Sequence, residues 1–241
     1  MNKDSIVFAG LLLGLCIIIS TAVGGYSFYN VRSLDNSLTV TGSAKMSVKS
    51  DTVKWTTFFV RAVDVSTLKD GYAKMASDLI AVKKFYADNG YADKDLIISP
   101  VFMEEIYNPN GNAQNKQYQL RQTIELNSIT DLEKVTGLSK NTQSLIDSGV
   151  VFSTQSLEYY YSKLPDLRVK LLAAALADAK ARAVEIAKAG GRSVGALKSA
   201  SSGVVQVLPP NSVDVSDYGN YDTSSVNKEV MVTAKASFVI K

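Results

Sequence analysis

The residues with most chemical potential lie in one short run, LAAALADAKARAVEIAKAGGRSVG, Leu172 to Gly195. Asp178, Lys180, Arg182, Glu185 and Lys188 supply carboxylates, amines and a guanidinium, the groups of acid–base work or anion binding. On a helix they fall largely on one side, with Leu172, Leu176, Ala179, Ala183 and Ile186 on another. Asp178 and Arg182 are four apart, a spacing that lets them pair for about 0.2–0.5 kcal/mol when exposed. A solvated helix face explains the charges without invoking a reaction. The alanines are more specific, because small side chains let another helix or a sheet approach closely. Asp178, Arg182, Ala179 and Ala183 are therefore candidate structural or interface residues, within the chain or between subunits.

Other candidates are thinner. Asp214, Asp217 and Asp222, with Gly219 and Asn220, are the residue types of a calcium loop, but their spacing does not match D-x-[DN]-x-[DN]-G. Glu104 and Glu105 are adjacent on an expected strand, so they point to opposite faces and cannot act as a pair. Tyr159-Tyr160-Tyr161 offers aromatic area to both faces of a strand end, with Tyr159 and Tyr161 as core, interface or stacking residues. The chain has no histidine, which removes Ser-His and Cys-His triads and most zinc sites. Its single cysteine, Cys16, lies in the first apolar run, so disulfides and thiol catalysis are absent beyond it. No GxGxxG, Walker, G-x-S-x-G or HExxH motif occurs. Gly190-Gly191-Arg192-Ser193-Val194-Gly195 follows a helix instead of preceding one, and reads as a helix C-cap. No catalytic residue, metal or cofactor is expected. An Asp/Lys/Tyr hydrolase would require a buried carboxylate or lysine lining a cleft with a strongly shifted pKa.

Those residues need a scaffold, and 241 residues with 46% hydrophobic and 20% charged composition can build a globular core. The net charge of +3 is too small and dispersed for nucleic-acid binding. Ile6 to Val23 is 18 residues without a charge, roughly 27 Å as a helix, about a bilayer core. Ile6, Leu11, Leu15, Cys16, Ile18 and Val23 represent this anchor. An uncleaved signal anchor fits the length, while Ala22-Val23-Gly24 offers a signal-peptidase site. A lipoprotein reading at Leu13-Gly14-Leu15-Cys16 is opposed by bulky Leu15. Tyr26, Phe28 and Tyr29 form an aromatic belt or begin a linker. The organisation expected is an anchor at 1–25, a linker at 26–36 and one domain at 37–241, outside the cytoplasm on a single-pass anchor.

Alternation predicts strands at Ser37 to Lys49 and Thr52 to Asp64, with Ser50-Asp51 as the turn. Thr67-Leu68-Lys69-Asp70 matches a capping box, opening a helix with Leu68, Tyr72, Met75, Leu79, Val82 and Tyr86 that ends at Gly90. Ile97 to Tyr107 and Tyr118 to Asn127 read as a hairpin around a polar loop. Ser128-Ile129-Thr130-Asp131 reads as a second capping box before a helix with Leu132, Val135, Leu138, Leu145 and Ile146, stopped by Gly149. A strand at Val151 to Tyr161, a helix from Pro165 to Gly190, a strand at Ser193 to Val207, a polar excursion at Leu208 to Lys228 and a last strand at Glu229 to Ile240 complete the chain. The class is α+β with a largely antiparallel sheet and hairpin-helix units, preceded by the N-terminal helix.

Asp178 to Ser201, DAKARAVEIAKAGGRSVGALKSAS, resembles the signature of the SIMPL-domain family of periplasmic immunogenic proteins, a DAxxRA helix followed by a glycine turn and a strand. VTGSAKMSVKSD at Val40 to Asp51, GYADKDLIIS at Gly90 to Ser99, YQLRQTIELNSITDLEKV at Tyr118 to Val135 and DSGVVF at Asp147 to Phe152 are similar to its other blocks, in order. Ser43, Ser99 and the insertion at 208–228 depart from the pattern. The resemblance covers residues 37–241. It implies an α+β envelope protein without established enzymatic activity, tending to large oligomers and loosely tied to stress, and it carries over no catalytic residue. The expectation is a membrane-anchored, self-assembling homo-oligomer of structural or stress-related role. The alternative is a binding module whose loops at 108–117 and 208–228 hold a small-molecule or protein ligand of unknown identity.

Overall fold

Strand β2, Thr52–Asp64, alternates Val53, Trp55, Thr57, Phe59, Arg61 and Val63 on one face, and that alternation organises the larger half of the protein. The structure, a computed structural model, describes residues 3–33, 36–107, 116–212 and 218–241. β2 lies between β5, Gln117–Ile129, and β6, Val151–Tyr160, antiparallel to both. Helix α2, Leu68–Asp88, and helices α3, Leu132–Lys140, and α4, Gln143–Asp147, enclose a core with that sheet. Trp55, Phe59, Met75, Val82, Tyr86, Leu120, Ile124 and Val135 are fully buried in it. Thr57 is tolerated there because its hydroxyl donates to the Ile124 carbonyl at 3.0 Å and hydrogen-bonds the Tyr86 hydroxyl at 3.0 Å.

Two short strands, β3, Leu96–Ile98, and β4, Phe102–Ile106, pair in succession along β5 where one hairpin arm is expected. The break falls at Ser99-Pro100-Val101, where proline has no N–H to continue the ladder. Similarly, the helix expected from Leu132 to Gly149 divides at Asn141-Thr142 into α3 and α4.

Strand β1, Ser37–Lys49, begins and ends as expected, but it does not pair with β2. It joins β8, Asn227–Ile240, which in turn pairs with β7, Val194–Leu208, in a separate three-stranded sheet of order β1-β8-β7. Ser50-Asp51 is a corner between sheets instead of a hairpin turn. Ser50 N donates to the Val226 carbonyl at 2.8 Å, Asp51 N to the Tyr160 carbonyl at 2.9 Å, and the Asp51 carboxylate accepts from Ser162 N at 2.8 Å and Ser162 Oγ at 2.7 Å.

The chain folds into two compact units of interleaved segments. One comprises Met1–Lys45, Arg168–Val205 and Met231–Lys241; the other, Met46–Leu167 and Gln206–Val230, holds the β2 sheet and its helices. In the first, helix α5, Leu164–Ala189, buries Ala179 and Ala183 against Val40, Ala236 and Phe238. α5 ends at Gly190-Gly191 as read: Gly191, at φ 66°, takes the left-handed turn, while Arg192 N donates to the Ala187 carbonyl at 2.8 Å.

Helix α1 runs Lys3–Ser33, so the residues read as a linker from 26 are helical as far as Ser33. Its most apolar stretch is Gly10–Tyr29, 20 residues, none of it buried. Leu11, Leu15, Cys16, Ile18 and Val23 are exposed along it, Ile6 lies in the helix before it, and Tyr26, Phe28 and Tyr29 are exposed at its end. By length and apolarity this helix fits a membrane anchor or a signal sequence.

Candidate functional site

In the α5 run, one carboxylate oxygen has two partners. Asp178 Oδ2 accepts from Ser43 N on β1 at 2.8 Å and from Arg182 Nε at 2.8 Å. Beside it, Gly42 meets the helix so closely that a Cβ there would overlap the Ala175 carbonyl and the Ala179 amide nitrogen, and would sit 2.7 Å from Ala179 Cα. Ala175, Ala179, Ala183 and Ala187 form the buried stripe, one residue per helical turn. Gly42 and the alanines allow the approach, Asp178 ties a strand amide that lacks a neighbouring strand to the helix, and Arg182 fixes the carboxylate. Asp178 and Arg182 are thus a clamp, and Ala179 and Ala183 are core inside one unit. Lys180, Glu185 and Lys188 stay on the exposed side together with Ala177, Ala181, Val184 and Ile186.

The tyrosines separate. Tyr159 is buried, its hydroxyl 2.8 Å from Thr136 Oγ1, and its N–H donates to the Thr223 carbonyl at 2.7 Å. The Tyr160 ring lies 5.9 Å from Tyr221, and Tyr161 is half-buried just past β6.

The excursion at 208–228 is tied down where it is described. Val207 N donates to the Asn220 carbonyl at 2.7 Å, Asp222 N to the Val207 carbonyl at 2.8 Å, and Asn220 N to Gln206 Oε1 at 2.8 Å. Asp214, Asp217 and most of the loop at 108–117 lie outside the described residues. Asp222 is held by Ser224 and Ser225, and its Oδ2 is 3.5 Å from Lys228 Nζ, which also donates to the Asp222 main-chain oxygen. Lys228 is fully buried. Burial opposes ionisation of Asp222, but the hydrogen bonds from Ser225 and Ser224 and the Lys228 charge outweigh it and hold the carboxyl down at about 2. Burial likewise pushes the Lys228 amine down, and Asp222 draws it partly back.

A second charged pair escaped the sequence reading. Arg61 Nε and Nη2 reach Asp78 Oδ2 and Oδ1 at 2.6 and 2.7 Å, and Nη2 also donates to the Gly149 carbonyl at 2.8 Å. The sequence signal was a carboxylate at position 78 inside the apolar stripe of α2. Turning it inward rotates the buried face to Gly71, Met75, Asp78, Val82, Phe85 and Tyr86, and leaves Tyr72 exposed. Neither capping box forms. Thr67 Oγ1 accepts from Asp64 N at 3.0 Å, and Ser128 lies in β5, so the cap of α3 is Asp131, accepting from Lys134 N at 3.0 Å. Glu104 and Glu105 are both exposed on β4, with Glu105 3.1 Å from Lys116. Among the described residues no three His, Cys, Asp or Glu gather as metal ligands.

The family model SIMPL, described as a protein of unknown function (DUF541), matches residues 38–239. The chain belongs to the SIMPL family. No curated protein matches it. The SIMPL match begins in β1 and ends in β8, so it takes in both compact units and the Gly42–Asp178 joint.

Proposed function

We propose that this SIMPL protein is a membrane-anchored, non-enzymatic component of the cell envelope that assembles with copies of itself. The observation that carries the reading is the outward side of α5. The helix buries one residue per turn and leaves Ala177 and Ala181, flanked by Val184 and Ile186, exposed beside Lys180 and Glu185, an apolar patch with charged margins that a second copy can cover. At 1.5 Å per residue, the 20 residues of Gly10–Tyr29 reach about 30 Å, enough to hold the folded part at a bilayer outside the cytoplasm. The commitment of the titratable groups supports a non-enzymatic role. Asp178 holds a strand amide, Asp78 holds Arg61, and Asp222 and Lys228 hold each other, so each of these groups has a structural partner.

Two full-length copies carrying different tags, co-expressed and recovered from carbonate-washed membranes, test the reading. Both tags should stay with the membrane and co-purify through either one. Release into the wash, or recovery of each tag alone, would refute it.

A further inference from the structure

We infer that the free edge of β7 is the seam along which two copies of this chain join, strand to strand. The inference rests on the self-assembly reading and adds to the α5 patch a second, separate contact surface. β7 is the longest strand, 15 residues, and closes the sheet order β1-β8-β7, so β8 is its one strand neighbour among the described residues; its other edge is taken at Val207 by Asn220 and Asp222, beyond the stretch 196–204. Residues 196–204 are exposed without interruption, which opens both faces of the strand as well as its edge.

The other edges are shorter, more charged or partly covered. β3 is three residues long; β4 is five and carries Glu104 and Glu105; β1 carries Lys45 and Lys49; and at the far end of β6, Tyr159 N is taken by the Thr223 carbonyl. Short length, charge and cover are the devices that keep edges from pairing. β7 has no proline and a single charge, Lys198, in the sequence VGALKSASSGVVQVL. It is the longest edge, with one charge in 15 residues.

Self-pairing accommodates that one charge. An antiparallel pair with its two-fold axis at Ala200, the midpoint of 196–204, sets Ala196 opposite Val204, Leu197 opposite Gly203 and Lys198 opposite Ser202. The two Lys198 positions are then four residues apart along the strands, about 13 Å. That exceeds the screening length of about 8 Å at physiological salt. A parallel in-register pair would instead place lysine beside lysine. The antiparallel pair also consumes the edge on both copies, closing the assembly at that surface.

The test uses the full-length chain in membranes, with Cys16→Ser as background and Ala200→Cys added. Directly opposed antiparallel residues have Cα atoms about 4.5–5.5 Å apart, within disulfide reach. Mild oxidation should give a disulfide-linked dimer of this chain at least tenfold faster than Ser47→Cys on β1. Equal rates, or a link from Ala200→Cys to a different protein, would overturn the seam. Ala200→Lys puts two ammonium groups at the axis and should halve the assembly mass while leaving the far-ultraviolet circular dichroism of the folded chain unchanged. If that variant does not fold, the cross-link decides alone. An assembled wild type with no Ala200→Cys dimer overturns the seam and leaves self-assembly standing, whereas a monomeric wild type overturns both.

Discussion

Asp178 Oδ2 lies 2.8 Å from Ser43 N, joining the α5 helix to the β1 strand beside Gly42. Arg182, one turn on, donates to the same oxygen at 2.8 Å. The charged stripe of α5 therefore divides by role: Asp178 and Arg182 are structural, and the remaining charges solvate an exposed face.

Removing the Asp178 carboxylate strands the Ser43 amide at a half-buried joint. Asp178→Ala should cost about 1–2 kcal/mol, and Asp178→Asn less, since its amide oxygen still accepts. Arg182→Ala should cost about 0.5 kcal/mol, because the pair is largely exposed. Urea unfolding midpoints of the three variants check this order.

Gly42→Ala should destabilise by about 2 kcal/mol or more, because the new Cβ meets helix backbone that cannot step aside. Gly137→Ala, in α3, meets nothing within 4 Å and should be neutral or stabilise by about 0.5–1 kcal/mol. Opposite signs in thermal unfolding distinguish close approach from a general intolerance of glycine replacement.

Asp222 has a folded-state value of about 2 against an ordinary 3.8, a depressed carboxylate. Its stabilisation, on the order of 2 kcal/mol, is fully present above about pH 4 and is lost as pH falls toward 2. Asp222→Asn should remove that part of the acid transition. Melting temperatures of the two proteins between pH 5 and pH 2 should converge as the pH falls.

Lys228 is fully buried, so breaking its pair from the acidic side is the harsher change. Asp222→Ala leaves an ammonium without a counter-charge and should cost about 3 kcal/mol at pH 7. Lys228→Met keeps the aliphatic stem, removes the charge and should cost less. Denaturant unfolding at pH 7 compares them.

Much of this was legible locally. The bounds of β1 and β2 follow from alternation and turn residues, and the end of α5 from Gly190-Gly191. Sheet membership was not, because it depends on distant partners: Thr39 on β1 hydrogen-bonds Ser237 on β8, 198 residues away. Gly42 and Asp178 each carried a sequence signal, a glycine inside a strand and a carboxylate four residues before an arginine. Only the fold shows that they meet at one joint. Thr67 failed as a cap because its hydroxyl found the Asp64 amide first, a competition invisible to spacing.

The most direct test of self-assembly is the mass of the full-length protein in mild detergent, by light scattering with the detergent contribution subtracted, across a tenfold concentration range. The account predicts a constant mass at a whole-number multiple, two or greater, of the 26.0 kDa chain. A mass of one chain at every concentration would contradict it.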